Sequence, residues 1–404
     1  MKLKISPSTL SGTVKAPPSK SMAHRLLIAA GLANGTSVVD GIAPSEDVSA
    51  TLDLLRALGA DYGKQGDTVT ITGADPRRAR VDESPSCREC GSTLRFFIPI
   101  CLLSDREITL TGSERLFARP LGVYEDLCRE QGLTFDRKET SVTVKGPLQS
   151  GEFTLRGDVS SQFISGLLFA LPLCDGDSTI RLLPPVESRS YIDMTLDALA
   201  AFGVQATWRD ELTLAVKGNQ TYTARHAQVE GDYSNAAFFE ALRTLGMDVT
   251  VTDLPSTTRQ GDRVCLAYFD ALSQGAPTLS IRDCPDLGPI LMAVAAAKHG
   301  CTLTDTRRLA IKESDRGAAI AEELAKFGIS VTTWEDTITV SGGALHAPTA
   351  VLSGHNDHRI VMALATLCCL TGGTIEGTEA VRKSLPDYFT IMNTLGLEMI
   401  PIEA

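Results

Sequence analysis

The chain has 404 residues, 43% hydrophobic and 22% charged, with a formal net charge of −11. That length exceeds what one ordinary core organises, so two domains are the default. The acidic balance, with aromatics at only 5%, excludes a broad nucleic-acid or anionic-membrane surface, and any anionic ligand needs a local basic cluster.

Taken along the chain, a strand-like MKLKIS comes first, with no partner in its own neighbourhood. SKSMAHRLLIAAGLANG then reads as a helix apolar on all sides, TSVVDG as a strand, and ATLDLLRALGADYG as an amphipathic helix closed by Gly. The order recurs in CGSTLRFFIPICLLSD, REITLTG and VYEDLCREQGLTFD, and again in VSSQFISGLLFALPLCDG, STIRLL and MTLDALAAFGVQAT. Beyond Thr223 come DYSNAAFFEALRTLG with MDVTVTD, then PDLGPILMAVAAAKHG, CTLTDT and AIAEELAKFGISVT, and last NDHRIVMALATLCCLTGG with GTIEGT.

Anchored at Ser21, Ser92, Ser161, Ser234, Gly288 and Asp357, these runs recur at intervals of 71, 69, 73, 54 and 69 residues. Such regularity marks six copies of one helix-strand-helix-strand unit. The apolar helices must be buried all round and the amphipathic ones must cover an outside, so three units per domain around a central bundle is the simplest packing. The expected domains are residues 14–224, and residues 1–13 with 225–404, the opening strand being lent to the second. Two crossings, near Gly12 to Val14 and near Thr223 to Gln228, join them. A doubly wound α/β protein is the plainer alternative. Neither G-x-G-x-x-G nor G-x-x-x-x-G-K-[ST] occurs, which removes the usual nucleotide signatures.

MKLKISPSTLSG lacks the apolar core of a signal peptide, and runs such as Ile360 to Leu370 fall short of the ~20 residues that span a bilayer. A cytoplasmic protein is expected. Ten cysteines, several inside apolar runs (Cys101, Cys368, Cys369), read as small buried hydrophobes in a reducing compartment. Cys87 and Cys90 form a C-x-x-C with no second pair and no His at zinc-finger spacing, which argues against a metal or redox role.

If the buried helices of a domain run parallel, their N-termini emerge together and offer N–H groups and aligned dipoles to phosphate or carboxylate. The polar residues there are Lys20, Ser21 and Arg25; Ser160, Ser161 and Gln162; Asp286; and His358 with Arg359. Serines and aspartates are ordinary N-caps, so the serines alone decide nothing. The cations are more telling. Lys20, Arg359, and the Lys312 and Arg316 of AIKESDRGAA fall at apparent helix starts, where each costs ~0.3–1 kcal/mol without a compensating anion. Lys312 and Arg316 are expected one turn apart in one helix, with an anionic ligand beside them. H-N-D-H at 355–358 also reads as a metal pair, but Arg359 beside it would repel a cation and no carboxylate-rich set accompanies it, so no metal is expected.

PSKSMAHR, CGSTLRF, RPL at 119–121, VSSQF, SYIDMT, IKESDR, NDHR and KSLPDYF, in this order along essentially the whole chain, resemble the 5-enolpyruvylshikimate-3-phosphate synthase family. The resemblance implies transfer of the enolpyruvyl group of phosphoenolpyruvate to the 5-hydroxyl of shikimate 3-phosphate, with release of phosphate and without metal or cofactor. It implies an inside-out α/β fold of two domains, each of three βαβαββ units, closing on substrate like a clam. A monomer is expected.

Carried over position by position, Lys20 would touch both ligands, while Ser21 and Arg25 would hold the shikimate ring and its neighbours. Ser160, Ser161 and Ser188 would take the shikimate phosphate, Gln162 would bridge the ligands and Tyr191 would line the pocket. Gly91, Arg119 and Lys383 match the surroundings of the phosphoenolpyruvate phosphate, and Arg316 and Arg359 its carboxylate clamp. Asp286 and Lys312 would contact the shikimate hydroxyls, with Glu313 facing the reacting carbon; Asp286, Glu313 and Lys20 are the expected catalytic groups. Two departures stand out: Glu89 and Arg308 occupy positions where many members have Asn.

Two other readings stay open. The sister transferase acting on UDP-N-acetylglucosamine shares fold and chemistry, but commonly carries a reactive Cys in the loop that here reads GSERLFARPLGVYE. A non-catalytic anion-binding protein of the same fold would be favoured by loss of Glu313, Asp286 or a clamp Arg, and all are present.

Overall fold

The computed structural model describes residues 1–402. The chain forms two compact units, Lys20–Glu230, and Met1–Ser19 together with the chain from Gly231 onward. It therefore passes between units at two points, Ser19–Lys20 and Glu230–Gly231.

The third repeat shows the full unit. Glu152–Arg156 is a strand, Ser161–Ala170 a helix, Ser178–Leu183 a strand, Arg189–Ala201 a helix, and Ala206–Trp208 and Thr213–Val216 a closing hairpin. The first two strands pair parallel, because a helical crossover separates them, and the rest pair antiparallel. Burial alternates along Ser178–Leu183, so one face of the sheet meets the core. The inner helix has no exposed face, matching its composition. The outer amphipathic helices of the first, second, third and fifth repeats end where the sequence places a glycine: Gly59, Gly132, Gly203 and Gly328 all have positive φ, a conformation that Cβ-bearing residues avoid.

All six predicted strands after the apolar helices form, at Thr36–Asp40, Ile108–Thr111, Ser178–Leu183, Asp248–Thr252, Gly300–Thr304 and Gly373–Glu376. Three repeats borrow strands. His226–Gln228, from the end of the first unit, pairs parallel with Thr36–Asp40 and so supplies the strand the first repeat lacks. Ser11–Lys15 does the same for the fourth repeat by pairing with Asp248–Thr252. Lys2–Ile5 lies antiparallel between Gly373–Glu376 and Met399–Ile402, inside the sheet of the sixth repeat. The fourth repeat has no closing hairpin, which accounts for its short interval in the sequence.

The inner helices pack closely at small residues. A Cβ on Gly166 would stand 2.4 Å from the carbonyl oxygen of Arg95, so the Ser161–Ala170 and Gly91–Cys101 helices touch there with no room for a side chain. The Tyr124 hydroxyl, fully buried, lies 2.8 Å from Arg95 O and 2.9 Å from Phe163 O, tying both helices to the outer layer. All ten cysteines are free and buried. Among the described residues no helix is long and apolar enough to cross a membrane.

Candidate active site

In the Lys20–Glu230 unit, the starts of the inner helices carry the expected polar groups. Lys20 opens the Lys20–Gly31 helix, and its ammonium lies 2.8 Å from Asp47, in the first turn of the outer Glu46–Ala57 helix. Ser160 caps the Ser161–Ala170 helix by accepting from Gln162 N at 3.3 Å. The Gln162 side chain links two helix starts, donating to Ser92 Oγ at 2.9 Å and accepting from Arg95 at 2.7 Å. Gly91 begins its own helix under Arg119: a Cβ there would stand 2.6 Å from a guanidinium nitrogen. Arg119 Nε is buried without a hydrogen-bond partner, so a cation rests on a positive helix end, an arrangement that an anion would relieve. Ser188, buried and with φ of 55°, immediately precedes the Arg189–Ala201 helix. Ser161 is buried, while Ser21 and Tyr191 are half-buried. Arg25 is buried and spends its fork on protein, bonding Thr195 Oγ1 at 2.9 Å, Ser21 O at 2.7 Å and Tyr191 O at 2.9 Å. It thereby fixes the first turn of the inner helix against Tyr191.

In the other unit, one arginine gathers three helix starts. Arg359, in the first turn of the His358–Thr371 helix, donates to Ser234 Oγ at 2.6 Å on the Tyr233–Thr244 helix and to Asp286 Oδ2 at 3.2 Å, just before the Gly288–Ala297 helix. Arg316, with 1% of its side chain exposed, reaches three carboxylates: Asp357 at 2.8 Å through Nε, Asp286 at 2.8 Å and Glu313 at 2.7 Å through its two terminal nitrogens. Lys312 also reaches Asp286, at 3.1 Å, and Lys383 donates to the carbonyl of Asn356 at 2.7 Å.

Titration follows from this crowding. Burial works to raise the Asp286 pKa, but Arg359, Lys312 and Arg316 outweigh it and hold the carboxyl well below its ordinary range. Burial lowers the Lys312 ammonium to about 8; Asp286 opposes the shift, whereas Arg308 and Arg316 deepen it. Burial would also lower Arg316, yet Asp357, Glu313 and Asp286 raise it.

The structure corrects two expectations. Lys312 does not share a helix with Arg316; it is extended, after the short Arg307–Ile311 turn, and the helix starts at Arg316 with Asp315 as its cap. The misplaced cations are also not left to a ligand alone. Asp47, Asp286, Glu313 and Asp357 already pair with Lys20, Lys312, Arg316 and Arg359. Sequence reasoning missed Asp47, because an acid in the first turn of an amphipathic helix looks like a routine match to the helix dipole. It also missed Arg95, hidden inside an apolar run. The departure at Arg308 does matter: it is buried, and its charge bears on Lys312.

Residues 5–392 match the model of the family described as EPSP synthase (3-phosphoshikimate 1-carboxyvinyltransferase). The chain belongs to the EPSP synthase family. A 3-phosphoshikimate 1-carboxyvinyltransferase of Clostridium kluyveri is 38% identical over 417 residues, covering 98% of this chain and 97% of that protein. One of Clostridium novyi is 37% identical over 424 residues, with the same coverage. An EPSP synthase from Acinetobacter baumannii has the same fold, with a TM-score of 0.79 at 23% identity over 99% of this chain and 100% of that chain. So does the enolpyruvyl transferase NikO from Streptomyces tendae, with a TM-score of 0.78 at 17% identity over 100% of this chain and 99% of that chain.

Proposed function

We propose that this protein transfers the enolpyruvyl group of phosphoenolpyruvate to the 5-hydroxyl of shikimate 3-phosphate, releasing phosphate, in aromatic amino acid biosynthesis. The observation that carries the reading is the convergence of Lys312, Arg316 and Arg359 on Asp286, in a chain matched by the EPSP synthase model from residue 5 to residue 392. Two anionic substrates repel each other, and charge-assisted bonds of ~1.5–3 kcal/mol each offset that repulsion. Lys20, Ser21, Arg25, Ser160, Ser161, Gln162, Ser188, Tyr191, Asp286 and Lys312 serve shikimate 3-phosphate. Lys20, Gly91, Arg119, Gln162, Arg316, Arg359 and Lys383 serve phosphoenolpyruvate. A monomer in the cytoplasm is part of the same reading.

The chemistry needs a proton delivered to the methylene carbon while the 5-hydroxyl oxygen attacks the neighbouring carbon and loses its own proton. Reversal of the carbon protonation then expels phosphate. Asp286, kept ionised by three cations, with Lys20 handles the hydroxyl proton. Glu313 now occupies the Arg316 nitrogen that a ligand carboxylate would take. In this mechanism phosphoenolpyruvate takes over that bond, and Glu313, released from its cation, carries the proton to carbon. Proton NMR of a reaction with both substrates tests the transfer: vinyl signals of an enol ether on the shikimate ring are expected, and a product without them would reject it.

Two predictions arise here. In Gly91→Ala the new methyl displaces the Arg119 guanidinium from the helix start, so phosphoenolpyruvate should bind about tenfold or more weakly, the loss of one charge-assisted bond, with shikimate 3-phosphate little changed. Equal weakening of both ligands in calorimetry would count against this assignment. The second concerns pH. Lys312 loses its charge as pH rises through about 8, so kcat/KM for shikimate 3-phosphate should fall on that alkaline limb, and Arg308→Asn should move the limb to higher pH. Folding responds oppositely. The unfolded lysine holds its proton up to its ordinary value of 10.5, so between the two values the unfolded chain binds more protons and this group makes stability rise with pH. A limb that stays in place in Arg308→Asn would show that another group sets it.

A further inference from the structure

Beneath the Lys20–Asp47 pair lies a cluster that the proposed transfer does not use. His24 is on the inner Lys20–Gly31 helix, one turn after Lys20, and Cys90 caps the Gly91–Cys101 helix. One donor atom each from His24, Asp47 and Cys90 lies within 4.8 Å of the others. The three residues come from three different elements, so the grouping is a product of the fold and not of local spacing.

We propose that His24, Cys90 and Asp47 form a binding site for a thiophilic divalent cation such as Zn2+ or Cd2+, and that its occupation detaches Lys20 from Asp47 and inhibits the enzyme. Imidazole, thiolate and carboxylate are the donor set of tetrahedral zinc sites, which leave the fourth position to water. Tetrahedral bonds of ordinary length set donors about 3.3–3.6 Å apart, so closure by roughly 1 Å suffices.

The histidine is prepared for the role. Nδ1 meets Thr51 Oγ1 at 2.7 Å, and Thr51 meets Thr93 Oγ1 at 2.8 Å. With Nδ1–H donating to Thr51, the unprotonated Nε2 faces Cys90 Sγ at 4.0 Å. An outer partner that fixes tautomer and ring orientation in this way is the usual companion of a metal-ligating histidine. The entry side is the Asp47 carboxylate, which with Lys20 is the part of the group that solvent reaches, at 12% and 16% side-chain exposure.

The balance of the step is simple. The Cys90 thiol gives one proton to solvent, the sulfur binds the cation, and the Lys20 ammonium leaves Asp47 with its proton; nothing is oxidised or reduced. Because a proton leaves for each cation bound, binding strengthens as pH rises. The inhibitory consequence rests on the proposed role of Lys20 with both substrates, whereas binding does not.

The test is a Cd2+ titration of the full chain, read by the ultraviolet thiolate-to-cadmium band and by proton release, with turnover followed in parallel. One equivalent bound and one proton released per chain are expected, with turnover lost and restored by chelator. Cys90→Ser, which keeps a helix cap, and His24→Gln should each bind Cd2+ at least about 100-fold more weakly, and Thr51→Val about 10–100-fold. Cys90→Ser should keep its basal turnover and escape inhibition. Cd2+ binding of equal strength in wild type, Cys90→Ser and His24→Gln would overturn the site, as would the absence of a thiolate band in wild type. Full occupancy with turnover intact would overturn the displacement of Lys20.

Discussion

Glu313→Gln is expected to lower kcat by ~10²–10⁴, the range for a lost general acid, while both substrates bind nearly as before. The substitution is conservative in shape. Gln keeps an oxygen for Arg316, which now donates to Glu313 at 2.7 Å, so the guanidinium stays partnered and the fold is not asked to bury a lone charge. What disappears is the capacity to carry a proton. A fall in kcat without a rise in substrate KM would mark an interaction made only in the transition state. Deuterium from solvent should enter the phosphoenolpyruvate methylene far more slowly in the variant. Exchange at the wild-type rate would assign the proton to another group, with Lys20 the first to examine.

Asp357→Ala should have the largest effect on stability. Asp357 is fully buried and accepts from three partners: Arg316 Nε at 2.8 Å, Ser314 Oγ at 2.9 Å, and Arg359 N at 2.9 Å as a helix cap. Removing it leaves the Arg316 guanidinium, 1% exposed, short of a partner in a dry interior. Breaking a buried pair in this way costs ~3–5 kcal/mol, and the lost cap about 1 more. Urea unfolding of the unit that contains it reads the change. Arg316→Met combined with Asp357→Leu should be less damaging than the sum of the two single changes, since neither charge is then stranded. Strict additivity would mean the pair is not coupled. The acid limb carries the same information. Burial pushes the Asp357 pKa up, but Arg316 outweighs it and the net shift is downward. A carboxyl depressed on folding contributes stability above its unfolded pKa and loses it as pH falls through the folded one. Asp357→Asn should therefore flatten the acid dependence of stability.

The sequence made most of the scaffold legible because the scaffold is written locally. An apolar run such as IVMALATLCCL has no polar face to expose, and so it is an inner helix wherever it falls. The glycines after the outer helices mark the reversals for a steric reason that needs no tertiary information. The borrowed strands were harder. Nothing within MKLKIS says that it lies between Gly373–Glu376 and Met399–Ile402, since register across nearly the whole chain is set only when the core forms. The short fourth interval was visible in the sequence, but its cause, a missing hairpin, was not.

Legibility of the site divides in the same way. Cations at helix starts stood out because they break a local electrostatic preference. Their partners did not. Asp47 meets Lys20 across 27 residues, and Asp286 meets Arg359 across 73; such pairs exist only in three dimensions. The inference from misplaced cations to a ligand was therefore too direct, because the chain supplies its own carboxylates. The ligand reading rests instead on the convergence of three cations on Asp286, on the Glu313–Arg316 contact beside it, on Arg119 over the Gly91 helix start, and on the family to which the chain belongs. Lys312, extended and half-buried beside the buried Arg308, shows how a short turn can interrupt a pattern that reads as continuous helix.

Phosphate release from phosphoenolpyruvate, measured with shikimate 3-phosphate and separately with UDP-N-acetylglucosamine as acceptor, tests the central claim most directly. Stoichiometric release with shikimate 3-phosphate, and none above background with the nucleotide sugar, is predicted. Release with UDP-N-acetylglucosamine, or with neither acceptor, would contradict it.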